Sequence, residues 1–122
     1  MSMSSDSLVI LRERINTFVY EREWAQFHSP KNLAMAMIVE AAELVEHFQW
    51  ETEQASRELT PEKLEQVSHE LADTIVYLLR IAEVLNIDLI EAANKKIDLN
   101  VQKYPVEKAR GKNAKYTAYL KD

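Results

Sequence analysis

The chain has 122 residues, enough for one compact domain with its own core and too few for two. It contains one glycine, which excludes glycine-rich phosphate loops, and no cysteine, which excludes disulfides, thiolate metal sites and a cysteine nucleophile. The net charge of −5 argues against nucleic-acid binding through a basic surface. No apolar run approaches the roughly 18 residues of a membrane span and no signal peptide is visible, so we expect a cytoplasmic protein without nucleic-acid or membrane partners.

Apolar residues recur at helical spacing in four long segments, and no segment alternates like a β-strand. The spacing predicts helices over about 7–25, 29–50, 60–85 and 88–103. Ser29 and Thr60, each followed by a proline, are typical helix starts, because Ser and Thr cap helices and Pro suits the first turn. We therefore predict an all-α protein, a four-helix bundle forming one domain over residues 1–122, with residues 1–6 disordered and a basic tail over 105–122.

Two of these helices contain long apolar runs. The run at 33–39 is apolar on every side of its helix, and the run at 74–79 is nearly so. A helix of this kind is typically surrounded by neighbours, so we expect both runs at the centre of the bundle. The segment at 51–59 is polar and predicts an irregular connector.

Two pairs of carboxylates adjoin the apolar runs. Glu40 and Glu43 follow the first run, Glu70 and Asp73 precede the second, and a spacing of three places each pair on one helix face. Both pairs continue core-facing stripes, where carboxylates repel one another unless they are protonated, paired with a base or bound to a cation. Four oxygen ligands favour Mg²⁺, with Mn²⁺ as an alternative ion. The simpler interpretation is that each pair faces solvent.

Other metals fit the sequence less well. A di-iron bundle needs Glu-x-x-His, whereas the residues three before His69 and His47 are Gln66 and Leu44. Zinc lacks a pair of histidines at ligand spacing.

Aromatic residues lie near the ends of the predicted helices. Trp24, His28 and Trp50 are candidates to contact a nucleobase, and filling the core is the alternative role. Tyr77 lies one turn beyond Asp73, where it could close a pocket over a ligand.

Cationic and amide side chains form a further set of candidates. Lys96 and Asn100 share a face of the fourth helix with Lys103, either to bind phosphate and sugar or simply as a solvated last turn. Arg110 and Lys115 in the tail either reach phosphates or only add solubility.

Five segments together resemble the all-α nucleoside triphosphate pyrophosphohydrolases of the MazG-like superfamily, and most of all their dCTP pyrophosphatase branch. They are EWAQFHSPKNL (23–33), EAAELVEHFQW (40–50), ELAD (70–73) with Tyr77, KIDLNVQKYP (96–105) and ARGKNAKY (109–116). These segments span nearly the whole chain. The carboxylate pattern alone is weak, but its combination with the other segments is specific.

The resemblance implies a role for each candidate. The ligands of Mg²⁺ would be Glu40, Glu43, Glu70 and Asp73. The base and the sugar would contact Trp24, Trp50, Tyr77 and Asn100. The phosphates would contact Lys96, Arg110 and Lys115. It also implies dimers or dimer-paired tetramers with sites near subunit contacts. One position departs from the pattern: animal members have a pocket histidine nine residues before the tryptophan, and this chain has Ile15 there. Base preference therefore stays open.

The resulting hypothesis is Mg²⁺-dependent hydrolysis of a deoxynucleoside triphosphate, dCTP or a related one, to the monophosphate and pyrophosphate. Either Glu43 or Glu46 would act as general base. The alternatives are the same enzyme with dATP or broad preference, a non-catalytic helical module that senses nucleotides, and a purely structural oligomeric bundle.

Overall fold

A computed structural model describes residues 5–120. The helices are α1 (Ser5–Glu21), α2 (Pro30–Glu46), α3 (Glu53–Ser56), α4 (Pro61–Val84), α5 (Leu89–Lys103) and α6 (Val106–Ala109), with 3₁₀ turns at Ala25–Phe27 and Tyr116–Tyr119. No strand occurs between residues 5 and 120, so the all-α prediction is confirmed. None of the helices in this described range is long and apolar enough to cross a membrane.

Three of the four long helices, α2, α4 and α5, begin at the predicted positions, each after a capping residue. The side chains of Ser29, Thr60 and Asp88 accept hydrogen bonds from the backbone N–H groups three residues on, which satisfies donors that a helix start leaves free. The predicted ends were less accurate, because α1 stops at Glu21 and α2 at Glu46.

The connector and the first residues differ from their predicted states, and the basic tail contains a short helix that was not predicted. The connector at 51–59 contains α3, capped by Thr52, and the tail contains α6. Residues 5 and 6, predicted to be disordered, belong to α1, whereas residues 1–4 lie outside the described residues.

The chain forms two compact units that divide between Ile87 and Asp88. In the first unit α4 packs against α2 and, over a smaller area, against α1. Its buried apolar residues are Ile15, Val19, Leu33, Val67, Leu79 and Ala82. Three of the four helices of the predicted bundle therefore lie in this unit.

The second unit contains α5, α6 and the last 3₁₀ turn. The ring of Tyr104, at the end of α5, meets the rings of Tyr116 and Tyr119 edge-on at 6.3 and 6.0 Å between centroids. Lys108 Nζ donates a hydrogen bond to the Tyr119 carbonyl at 2.9 Å. These contacts fold the C-terminal tail back onto the end of α5.

The prediction that neighbours surround the apolar run of α2 is wrong for the single chain. Leu33 is buried, yet Met35, Ile38 and Val39 are 58%, 60% and 54% exposed. The reason is that α4 covers one side of α2 only, so the apolar residues of the opposite side remain in contact with solvent. We call this stripe, which Val45 extends, the outer face of α2.

The end of α1 is set by an unusual backbone conformation. Glu23 has a φ of 54°, in the left-handed region that side chains other than Gly and Asn rarely adopt. The N–H of Trp24 donates to the Val19 carbonyl at 3.1 Å and that of Glu23 to the Tyr20 carbonyl at 3.0 Å, which is a Schellman motif. This turn determines where Trp24 leaves the helix.

We predict that Glu23→Gly stabilises the protein by about 1 kcal/mol, because glycine adopts positive φ without the clash of a Cβ atom. Thermal unfolding followed by circular dichroism measures the change. The matched control is Glu21→Gly at the last helical residue, which should lower the melting temperature. A Glu23→Gly variant that melts at or below the wild-type temperature would contradict the prediction.

Candidate active site

Three carboxylates from two helices come together in the first unit. Glu40 and Glu43 lie one turn apart on α2, and Glu70 lies on the α4 face that packs against α2. One carboxylate oxygen from each of the three lies within 4.8 Å of the others, and all three residues are half-buried. The helical spacing and the α2–α4 packing together produce a cluster of like charges.

The crowding of negative charge changes the acidity of Glu40. Burial, a hydrogen bond with Glu43, and the charges of Glu43 and Asp73 raise the pKa of Glu40 to about 7. Asp73 thus acts electrostatically on the cluster, although it is not one of the three residues whose oxygens meet within 4.8 Å.

Glu70 has an oxygen without a partner. Its Oε2 atom is buried and accepts no hydrogen bond from the described residues, while Oε1 lies 3.7 Å from Nε2 of His47. A buried carboxylate oxygen without a partner is costly, and a bound cation removes that cost. The donor set of the three glutamates therefore fits a divalent cation.

A cavity of about 450 Å³ adjoins the carboxylates. Glu40 and Asp73 line it together with Tyr77 of α4 and with Trp24 and His28, which follow α1. Most of the remaining lining is apolar and comes from α1: Leu11, Ile15, Phe18 and Val19. An apolar chamber that opens beside an acidic cluster can hold a ligand with an aromatic part and a charged part.

The position of Trp24 follows from its neighbours. Its ring meets that of Phe18 edge-on, with 5.5 Å between centroids, and the Arg22 guanidinium lies 3.8 Å from the centroid of the Phe18 ring. Arg22 also donates a hydrogen bond to the Phe18 carbonyl at 3.0 Å. Trp24 remains partly exposed, as a side chain at the mouth of a cavity does.

A buried cation, which is not among the predicted site residues, also lines the cavity. Arg80 of α4 is 7% exposed; its Nε donates to Nδ1 of His28 at 3.2 Å and its NH1 group to Oδ1 of Asn16 at 3.0 Å. Burial and the Arg80 charge lower the pKa of His28. The signal was present, because Asp73, Tyr77 and Arg80 follow one another at helical spacing on one face.

The first unit does not bring all of its predicted residues together. Trp50 is 89% exposed and does not line the cavity that Trp24, His28 and Tyr77 share. Glu46 is exposed at the last residue of α2, outside the three-glutamate cluster.

The remaining predicted residues belong to the second unit. Lys96 is exposed on α5 and Asn100, one turn later, is half-buried. Arg110 directly follows α6, and Lys115 directly precedes the last 3₁₀ turn; both are exposed. Lys103 instead lies over the Tyr116 ring, 5.0 Å from its centroid.

Comparison with known proteins places the chain in a family. Residues 35–118 match the MazG-like family. The chain is 41% identical over 102 residues to dCTP pyrophosphatase 1 of Mus musculus, covering 82% of this chain and 60% of that protein. It is 37% identical over 116 residues to dCTP pyrophosphatase 1 of Bos taurus, covering 93% and 69%. The chain thus belongs to the MazG-like family, and it spans about 60% of the mouse protein's length.

A solved structure supports the same assignment. A pyrophosphatase from Archaeoglobus fulgidus superposes with a TM-score of 0.78 at 34% identity, covering 86% of this chain and 98% of that one. The family expected from the five sequence segments is therefore confirmed.

We predict that the metal-free protein loses stability as pH rises from about 4.5 to about 7, because folded Glu40 keeps a proton that the unfolded chain has already released. Urea unfolding in EDTA at about pH 5 and about pH 8 measures this loss. Glu40→Gln cannot ionise, so its stability should fall less over the same interval. Exposed Glu51→Gln is the control, and an equal fall in Glu40→Gln and wild type would refute the assignment.

Proposed function

We propose that the chain is a nucleoside triphosphate pyrophosphohydrolase that converts a deoxynucleoside triphosphate, dCTP or a related one, to the monophosphate and pyrophosphate. The observation that carries the proposal is the three-glutamate cluster, with its unpartnered Glu70 oxygen, beside a largely apolar cavity. The similarity to proteins named dCTP pyrophosphatase 1 supports the reaction and the base.

We propose Mg²⁺ as the ion, with Mn²⁺ as a substitute, because all the ligands are carboxylate oxygens. Glu40, Glu43 and Glu70 would hold it, and Asp73, whose charge already acts on Glu40, would complete the set. When bound, the ion neutralises triphosphate charge and lowers the pKa of water.

The chain's own residues position the nucleotide and the proton. Trp24 and Tyr77 line the cavity, where they hold the nucleoside against an apolar wall and exclude water from it. Of the two candidate general bases, Glu43 lies in the cluster and Glu46 lies outside it. We therefore propose that Glu43 accepts the proton of the attacking water.

The predicted residues of the second unit carry groups that suit a nucleotide. Lys96, Arg110 and Lys115 offer cationic groups for the phosphates, and the Asn100 amide offers a donor and an acceptor for the sugar.

We further propose that the chain assembles as a dimer, or a tetramer of paired dimers, through the outer face of α2. Met35, Ile38 and Val39 form an exposed apolar stripe there, and Leu64, Leu71 and Leu78 repeat every seven residues on the exposed side of α4. Apolar stripes of this kind mark association surfaces. Trp50, exposed near the end of α2, would cover the nucleotide of a neighbouring copy.

Ion chromatography of the reaction products tests the activity. With Mg²⁺ and dCTP we expect dCMP and pyrophosphate in equal amounts, and no turnover in EDTA. Release of orthophosphate would refute the proposed reaction. Binding of dCTP without turnover would favour the nucleotide-sensing module instead.

Substitutions in the cluster refine this test. Glu70→Gln and Asp73→Asn should each lower kcat by about 100-fold or more, since each removes a charge from the cation site but keeps the shape of the side chain. Glu46→Gln is the matched control and should retain activity within a few-fold. Loss of activity in Glu46→Gln alone would transfer the general base to Glu46.

Ile38→Glu should convert the assembly to monomers, because a charge in an apolar interface cannot be solvated there. Sedimentation velocity measures the change. The matched control is Ile10→Glu, which places the same charge at an exposed isoleucine of α1. A wild-type monomer, or equal effects of both variants, would contradict the proposed interface.

A further inference from the structure

Arg80 has no part in the proposed reaction, yet among residues 7–87 it is the one charged residue that is buried. It is 7% exposed, and no carboxylate among residues 5–120 forms an ion pair with it. Charged groups are rarely buried without an opposite charge, because their desolvation is costly. A buried guanidinium paired only with neutral acceptors therefore needs a function that explains its retention.

The hydrogen bonds of Arg80 use only part of its donor capacity. A guanidinium has five N–H donors and no acceptor. Nε donates to Nδ1 of His28, and one N–H of NH1 donates to Oδ1 of Asn16. The other three donors, one on NH1 and two on NH2, have no partner among the described residues.

Two neutral side chains fix the orientation of the guanidinium. His28 accepts at Nδ1, so its own proton lies on Nε2, and burial and the Arg80 charge lower the pKa of His28, which keeps it neutral. Asn16 holds the NH1 end. Because His28 occupies the Nε side, the pair of parallel N–H groups that remains for a ligand is the terminal one, made by NH1 and NH2.

The apolar part of the cavity lining suits a nucleobase better than a phosphate. Arg80 lines the cavity with Ile15, Phe18 and Trp24, which are apolar or aromatic. It lies seven residues from Asp73 on α4, about 10 Å along the helix axis. If the phosphates are held near the carboxylates, the opposite end of the nucleotide lies toward Arg80.

We propose that Arg80, oriented by His28 and Asn16, selects the base by donating two parallel hydrogen bonds to a carbonyl oxygen and an adjacent unprotonated ring nitrogen. Cytosine presents this pair at O2 and N3, and guanine at O6 and N7. Thymine has a protonated N3 between its carbonyls, and adenine has an amino donor beside N1 and N7. A group with donors only cannot satisfy either. The inference deepens the proposed function, because it assumes that a nucleotide occupies this cavity.

Binding of four deoxynucleoside monophosphates tests the inference without requiring turnover. Isothermal titration calorimetry of the full chain with Mg²⁺ and dCMP, dGMP, dAMP or dTMP should show dCMP or dGMP bound about ten-fold or more tightly than dAMP and dTMP. Which of the two binds tighter identifies the base.

Variants separate base selection from a merely structural role. Arg80→Lys keeps the charge but not the planar fork, so the preference should fall to about two-fold or less while dAMP and dTMP bind nearly as before. His28→Leu removes the acceptor that orients Nε and should reduce the same ratio. Arg57→Met, at an exposed arginine, is the control. Circular dichroism checks that each variant is folded, and Arg80→Met replaces Arg80→Lys if the latter is not.

Three results would overturn the inference: equal binding of the four monophosphates by the wild type, binding of none, or a uniform loss across all four in Arg80→Lys. The last result would instead indicate a phosphate contact. If base preference depends on Arg80 but no pyrophosphate is released from any triphosphate, the proposed reaction fails and the base-selecting role of Arg80 remains.

Discussion

The packing of α2 against α4 forces like charges together, and the rest of the site depends on that constraint. Helix–helix packing buries apolar faces, and here the same contact leaves three half-buried carboxylates, Glu40, Glu43 and Glu70, close together. Burial and mutual repulsion raise the pKa of Glu40, and one Glu70 oxygen lacks a partner. The fold thus accepts a cost at this contact that a cation would reverse, which is the usual balance between stability and function at an active site.

The buried positive charge of Arg80 is not paired with these carboxylates. Arg80 is buried on the same helix as Glu70 and Asp73, but its partners are an imidazole and an amide. Keeping this cation apart from the carboxylates leaves both groups free for a ligand, since an internal ion pair would neutralise each. One face of α4 therefore offers an acidic end and a basic end to the same cavity.

Much of the fold follows from local rules that the sequence displays. Ser29, Thr60 and Asp88 mark helix starts because capping is a contact between neighbours in the chain. The end of α1 was not predictable, because Glu23 adopts a conformation that its own side chain disfavours and only the surrounding hydrogen bonds maintain. Helix α3 was missed because it is a single capped turn within a polar segment.

Part of the candidate site could also be predicted from the sequence, and part could not. The carboxylate pairs could be predicted from spacing, because residues three apart share a helix face. Arg80 could not be recognised as buried from its own identity, since arginine is ordinarily exposed, and Asn16 meets it from 64 residues away. The sequence shows that the run at 33–39 of α2 is apolar, but hydrophobicity alone does not tell whether the same chain covers it.

The two sides of α2 leave this helix little tolerance for sequence change. Ser29, Leu33, Glu40 and Glu43 are committed to capping, core and carboxylate cluster, while Met35, Ile38 and Val39 make the outer face apolar. A polar replacement on the outer side alters solubility and association, and a replacement on the inner side alters packing or charge. An ordinary amphipathic helix has a solvent face on which substitutions accumulate freely, and over much of its length α2 lacks one.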